Sequence, residues 1–68
     1  MKKKLIINGE NTFVLSETLS KVLNEINIIK SQNTAVAVNE EVVEKINWEN
    51  YKIKSGDIIE IVQPLKGG

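Results

Sequence analysis

Apolar residues follow a strand-like pattern at both ends of this chain and a helical one between them. Lys4-Leu5-Ile6-Ile7-Asn8 is apolar and β-branched, and it runs into Asn8-Gly9-Glu10-Asn11. Asn-Gly is the strongest short hairpin signal, because both residues tolerate positive φ. Thr12-Phe13-Val14-Leu15 is then the returning strand. Next, Leu19, Val22, Leu23 and Ile26 fall at i, i+3, i+4 and i+7, which places them on one helical face opposite Lys21, Asn24 and Glu25. Ser16 is the expected N-cap and Glu17 the acid favoured at the positive end of the helix dipole. Asn27 is the expected stop, since it can adopt the left-handed conformation.

The second half is strand-rich. Residues 28–33 form a short polar connection, and Thr34-Ala35-Val36-Ala37-Val38-Asn39 has the composition and small side chains of a crowded interior strand. Glu40-Glu41 is read as a turn and Val42-Val43 as a short strand beyond it. Between Glu44 and Tyr51 the large residues Ile46, Trp48 and Tyr51 are spaced like one turn of irregular helix. Trp48 is read as the anchor that plugs this segment onto the core, because its ring carries a large burial term. Ser55-Gly56-Asp57 is a turn before the last strand, Ile58-Ile59-Glu60-Ile61-Val62. Alternation sends Ile59 and Ile61 to one face, and Ile58, Glu60 and Val62 to the other.

A chain that begins and ends in strands around one helix predicts an α+β fold. The expected form is a mixed sheet of four to five strands with the helix across one face and the first and last strands side by side in the middle. Sixty-eight residues, 41% of them hydrophobic, make one domain with one two-layer core. The expected division is 1–62 for the domain and 63–68 for a flexible C-terminal tail.

Composition removes most chemistry. There is no cysteine and no histidine, so thiolate chemistry, the usual neutral-pH base and the commonest metal ligand are excluded. All nine basic residues are lysine, they balance nine acids, and the net charge is zero. Neither a basic nucleic-acid surface nor a guanidinium grip on phosphate is available. Gly9, Gly56, Gly67 and Gly68 are too scattered for a phosphate loop. Glu40 and Glu41 are adjacent, so on a strand they would diverge rather than form a carboxylate dyad. Behind Met1-Lys2-Lys3-Lys4 the apolar run is too short for a signal peptide, and no stretch approaches membrane-spanning length. A soluble, cytoplasmic protein that catalyses nothing by itself and binds no metal is expected.

What remains is the end of the sequence, Gln63-Pro64-Leu65-Lys66-Gly67-Gly68. Pro64 can end a strand, and paired glycines without Cβ can thread a narrow channel backbone-first. A carboxylate on Gly68 would be ionised, and it could attack a phosphorus centre or become an acyl donor once activated.

Val36-Ala37-Val38-Asn39-Glu40-Glu41-Val42-Val43, then Trp48, then Gly56-Asp57-Ile58-Ile59-Glu60-Ile61-Val62 and finally Gly67-Gly68 resemble the ThiS family. These are the small sulfur carriers of thiamin thiazole biosynthesis, with the ubiquitin-like β-grasp fold. The resemblance covers essentially the whole chain, including the hairpin around Asn8-Gly9. It implies a sulfur-accepting Gly68, preceded by Gly67 and Lys66 in the tail. A ThiF-like enzyme would adenylate Gly68 with ATP and magnesium, a cysteine desulfurase persulfide or another sulfur donor would supply sulfur, and the thiazole synthase ThiG would take it from the thiocarboxylate. Ile58, Glu60, Val62 and Leu65 are the candidate partner-binding patch. Glu44 stands where many relatives have proline, and Lys66 is more polar than the residue usual before the diglycine. The alternatives are a MoaD-type small subunit of molybdopterin synthase, a ubiquitin-related modifier joined to lysines, and a β-grasp binding module with an incidental tail.

Overall fold

The computed structural model describes residues 2–28 and 34–63. Its first hairpin pairs β1 (Lys3–Ile7) with β2 (Glu10–Val14) in antiparallel register, Leu5 opposite Thr12 and Ile7 opposite Glu10. The connection is two residues long, with Asn8 at φ 51° and Gly9 at φ 83°. Positive φ at both positions gives the turn the twist that flanking strands require.

Helix α1 (Leu19–Glu25) follows, and its start differs from expectation. Thr18, not Ser16, is the N-cap, and its hydroxyl accepts from the Lys21 N–H at 3.4 Å. Glu17 therefore lies outside the helix, where its carbonyl accepts from the Ile53 N–H. Ser16 is diverted to Glu25. Its hydroxyl donates to Glu25 Oε1 at 2.6 Å, and the N–H groups of Leu15 and Ser16 donate to the same carboxylate. The first helical donors also find unusual partners: Leu19 N–H donates to the Tyr51 carbonyl and Ser20 N–H to that of Trp48. The orphan groups of a helix start are thus met by a segment far along the chain. At the other end the Ile28 N–H reaches the Leu23 carbonyl and the Asn27 N–H that of Asn24, with Asn27 at φ 64°. That is a Schellman closure, and Asn27 is the left-handed residue as expected.

The second hairpin joins β3 (Ala35–Val38) to β4 (Glu41–Val43). Its turn is Asn39-Glu40, at φ 52° and 73°, one residue earlier than the expected Glu40-Glu41. Asn39 determines the shift. It tolerates the left-handed region, and its Oδ1 accepts from the Ile58 N–H while its Nδ2 donates to Asp57. A single 3-10 turn (Lys45–Asn47) leads to Trp48, which is buried and donates from Nε1 to the Val43 carbonyl at 2.8 Å. Tyr51 packs partly against the core, whereas Ile46, grouped with them by spacing, points into solvent.

Strand β5 (Ile58–Val62) completes a five-stranded mixed sheet in the order β2-β1-β5-β3-β4. The last strand is central, parallel to β1 and antiparallel to β3. Leu5, Ile7, Val14, Val36, Val38, Val43, Ile59 and Ile61 bury one sheet face against Leu19, Val22 and Leu23 of α1, with Trp48 and Ile53 closing the side. Ile26 and Ile28 pack at its margin.

Trp48→Phe should lower stability by about 2 kcal/mol, because it removes the indole N–H bond to the Val43 carbonyl and leaves a void in the core. In a thermal melt that corresponds to a loss of roughly 8–16 °C for a domain of this size. A second expectation concerns Glu25. The Ser16 hydroxyl above all, then the Leu15 N–H, hold its carboxyl below the ordinary carboxylate value. A lowered folded pKa adds stability that is present above the unfolded value and lost as pH falls through the folded one. The melting temperature of Glu25→Gln should accordingly lie furthest below wild type near neutral pH. The two curves should converge as pH drops below about 4.

Candidate functional site

Because β5 is central, its outward side chains stand in the middle of the sheet face that α1 leaves uncovered. Ile58, Glu60 and Val62 are all exposed there, Ile58 at 46% and Val62 at 63%. Their neighbours follow from the register: Ile6 lies beside Ile58, Ala37 beside Glu60 and Ala35 beside Val62. The two alanines carry only methyl groups, so the β5 side chains rise above them on that flank. Val42 of β4 pairs with Ala37 and extends the apolar surface outward. On the other flank Phe13 pairs with Lys4, is 60% exposed and lies under the Lys2 ammonium at 5.6 Å.

The structure therefore brings together three of the four residues expected in a partner patch. The fourth, Leu65, lies outside the described residues, as do Pro64, Lys66, Gly67 and Gly68. Ala35, Ala37, Val42 and Phe13 were not assigned to that patch from sequence. Alternation gives each residue a face, but only strand order and register say which strands share it.

The root of the C-terminal segment has its own geometry. Strand β1 pairs with β5 only as far as Ile7 opposite Ile59, and the Asn8 N–H then donates to the Ile59 carbonyl at 2.9 Å. Beyond that point the turn takes the β1 backbone away. The Asn8 carboxamide continues the ladder in its place: Oδ1 accepts from the Ile61 N–H at 2.8 Å and Nδ2 donates to the Ile61 carbonyl at 3.3 Å. A side chain here supplies the donor and acceptor of a missing peptide group.

Little else in the described residues can do chemistry. Among them no cluster of acidic, histidine or cysteine side chains could hold a metal, and no helix is long and apolar enough to cross a membrane. Glu40 and Glu41 are exposed on the second hairpin, where nothing assembles them into a dyad. A shallow polar groove lined by Thr18, Ser20, Lys21, Asn24 and Glu49 contains no nucleophile–base pair.

Comparison with known proteins agrees with the fold. The crystal structure of a thiamine biosynthesis protein (ThiS) from Geobacter metallireducens superposes with a TM-score of 0.79, covering 96% of this chain and 99% of that one at 24% identity. The solution structure of a Geobacter metallireducens thiamine biosynthesis protein gives 0.77, with 96% and 87% covered, also at 24% identity. A curated relative, a thiazole synthase from Paramagnetospirillum magneticum, is 38% identical over 66 residues. That alignment takes in 96% of this chain but 20% of the relative, so the chain spans about a fifth of the curated relative's length. The family model described as ThiS family matches residues 5–68. On this match and this β-grasp architecture, the chain belongs to the ThiS family, the ubiquitin-like sulfur carriers of thiamin biosynthesis.

Proposed function

We propose that this chain carries sulfur as a thiocarboxylate on Gly68 for formation of the thiamin thiazole. The observation that carries this reading is the family match, which runs through Gly67 and Gly68. Domain and tail then divide the work. Residues 1–62 are the part that a partner grips, and residues 63–68 are the part that enters the partner's site.

In this cycle the Gly68 carboxylate attacks the α-phosphorus of ATP on a ThiF-like enzyme with magnesium, and pyrophosphate leaves. A carboxylate is a poor acyl donor to sulfur because its oxygen is a poor leaving group; as the acyl-adenylate, with AMP to leave, it becomes a good one. A persulfide from a cysteine desulfurase attacks the acyl carbon and displaces AMP. Thiol cleavage of the resulting acyl disulfide leaves the thiocarboxylate, whose sulfur passes to ThiG. The relative named thiazole synthase, which contains a segment like this chain within a longer protein, supports that last partner. Gly67 and Gly68 let the acyl carbon reach a buried centre, where correct placement supplies much of the rate. Lys66, inside the threaded segment, tunes which activating enzyme accepts the tail. Docking falls to Ile58, Val62 and Leu65, with Glu60 as the polar contact in their midst.

One alanine appended after Gly68 should abolish ATP–pyrophosphate exchange with a ThiF-like enzyme while leaving the melting temperature unchanged. Undiminished exchange would sink the carrier reading. Independently, Ile58→Asp or Val62→Asp should cost about 1 kcal/mol and leave the domain folded, since both side chains stand on the exposed face but aspartate suits a strand poorly. The same variants should raise the KM of the carrier in that exchange assay, read alongside a thermal melt.

A further inference from the structure

We infer that Asn8 is a positioning residue for the carrier reaction, fixing where the C-terminal segment leaves the sheet. The inference rests on the carrier reading and adds to it a residue far from the tail in sequence. Asn8 has two separable tasks. Its backbone, at φ 51°, makes the first half of the hairpin turn, which either asparagine or glycine can do. Its carboxamide holds both polar groups of Ile61, the residue just before the exposed Val62. The turn needs only the first task.

The second task follows from the topology. Strand β5 runs on past the end of β1, while on its other side Val62 is still paired with Ala35 of β3. Without the carboxamide, the final β1-facing groups of β5 would lose their protein partners, and the strand's last residues would be held from one side only. With it, β5 is held from both sides as far as Ile61. The end of β5, from which the C-terminal segment continues, is then fixed. A tail that must place one acyl carbon in a partner's site loses less freedom on binding when its root is already fixed. Asparagine suits this position because its amide offers a donor and an acceptor at the reach of a backbone peptide. Aspartate offers no donor, and glycine offers neither group.

The test uses Asn8→Gly, which keeps the positive φ but deletes the clamp, and Asn8→Asp, which keeps only the acceptor. Amide hydrogen exchange of the intact chain should show Ile61 about tenfold faster in Asn8→Gly, with the amides of β1 and β3 near wild type. In Asn8→Asp the Ile61 N–H should stay closer to wild type. In ATP–pyrophosphate exchange with a ThiF-like enzyme, Asn8→Gly should raise the KM for the carrier about five- to tenfold with kcat nearly unchanged. Unchanged exchange at Ile61 would overturn the clamp. Uniform acceleration of all amides would reduce Asn8 to a turn residue, and an unchanged KM beside faster Ile61 exchange would overturn the positioning role. If the wild-type chain is not activated at all, the carrier reading fails, and the Ile61 exchange pattern alone decides whether Asn8 fixes the exit of the segment.

Discussion

The insertion of β5 between β1 and β3 is the constraint on which the rest of this structure depends. Ile59 is fully buried at the centre of the core, and Ile61 lies beside it under the helix. The strand comes last in the sequence yet occupies the middle of the sheet. Neither hairpin can therefore complete its pairing until the end of the domain is in place. The two hairpins are local and form cheaply, but joining them requires contacts between residues 6–7 and 58–59. Such closure costs chain entropy before the core repays it. The parallel ladder is brief, and the Asn8 side chain extends it by bonding to the backbone of β5, while Asn39 does the same for the antiparallel ladder on the β3 side.

The helix depends on the same closure. Seven residues are too few to be stable in water by themselves. What holds α1 is the burial of Leu19, Val22 and Leu23 and the capture of its first N–H groups by the Trp48 and Tyr51 carbonyls. That segment is in turn fixed by the buried Trp48 ring and its bond to Val43. The helix start, the Trp48 segment and β4 therefore form one linked unit, so a change at Trp48 reaches the N-terminus of α1 through backbone carbonyls.

Much of this was legible in the residues. The Asn8-Gly9 hairpin, the amphipathic face of α1, the Asn27 stop and the alternation of β5 are local signals, and each appears in the structure where it was read. The central pairing of the first and last strands followed from the order of elements. The misreadings were at caps and turns, where near-equivalent residues compete. Ser16 and Thr18 are both good caps, and a carboxylate nine residues beyond Ser16 decided between them. Asn39 and Glu40 took the second turn because Asn39 was needed against Ile58 and Asp57. Of the uncovered sheet face, β5 gave up its own three residues by alternation, but the flanking alanines, Val42 and Phe13 required register. The clamp on Ile61 left no sequence signal beyond that of a good turn residue, since its partner lies 53 positions away.

A central last strand has a further consequence for a carrier. An edge strand leaves its end beside solvent on one side, whereas here β5 ends with Val62 paired to Ala35 of β3 and with Ile61 held on its other side by the Asn8 carboxamide. The segment that follows starts directly beyond Val62, one of the three side chains standing out from the uncovered face. A partner that recognised that face would meet the root of that segment on a strand anchored by the buried Ile59 and Ile61. The reacting end itself needs no packing, and the scaffold needs no reactive group. That separation is compatible with membership of a sulfur-carrier family by a domain without histidine, cysteine or arginine.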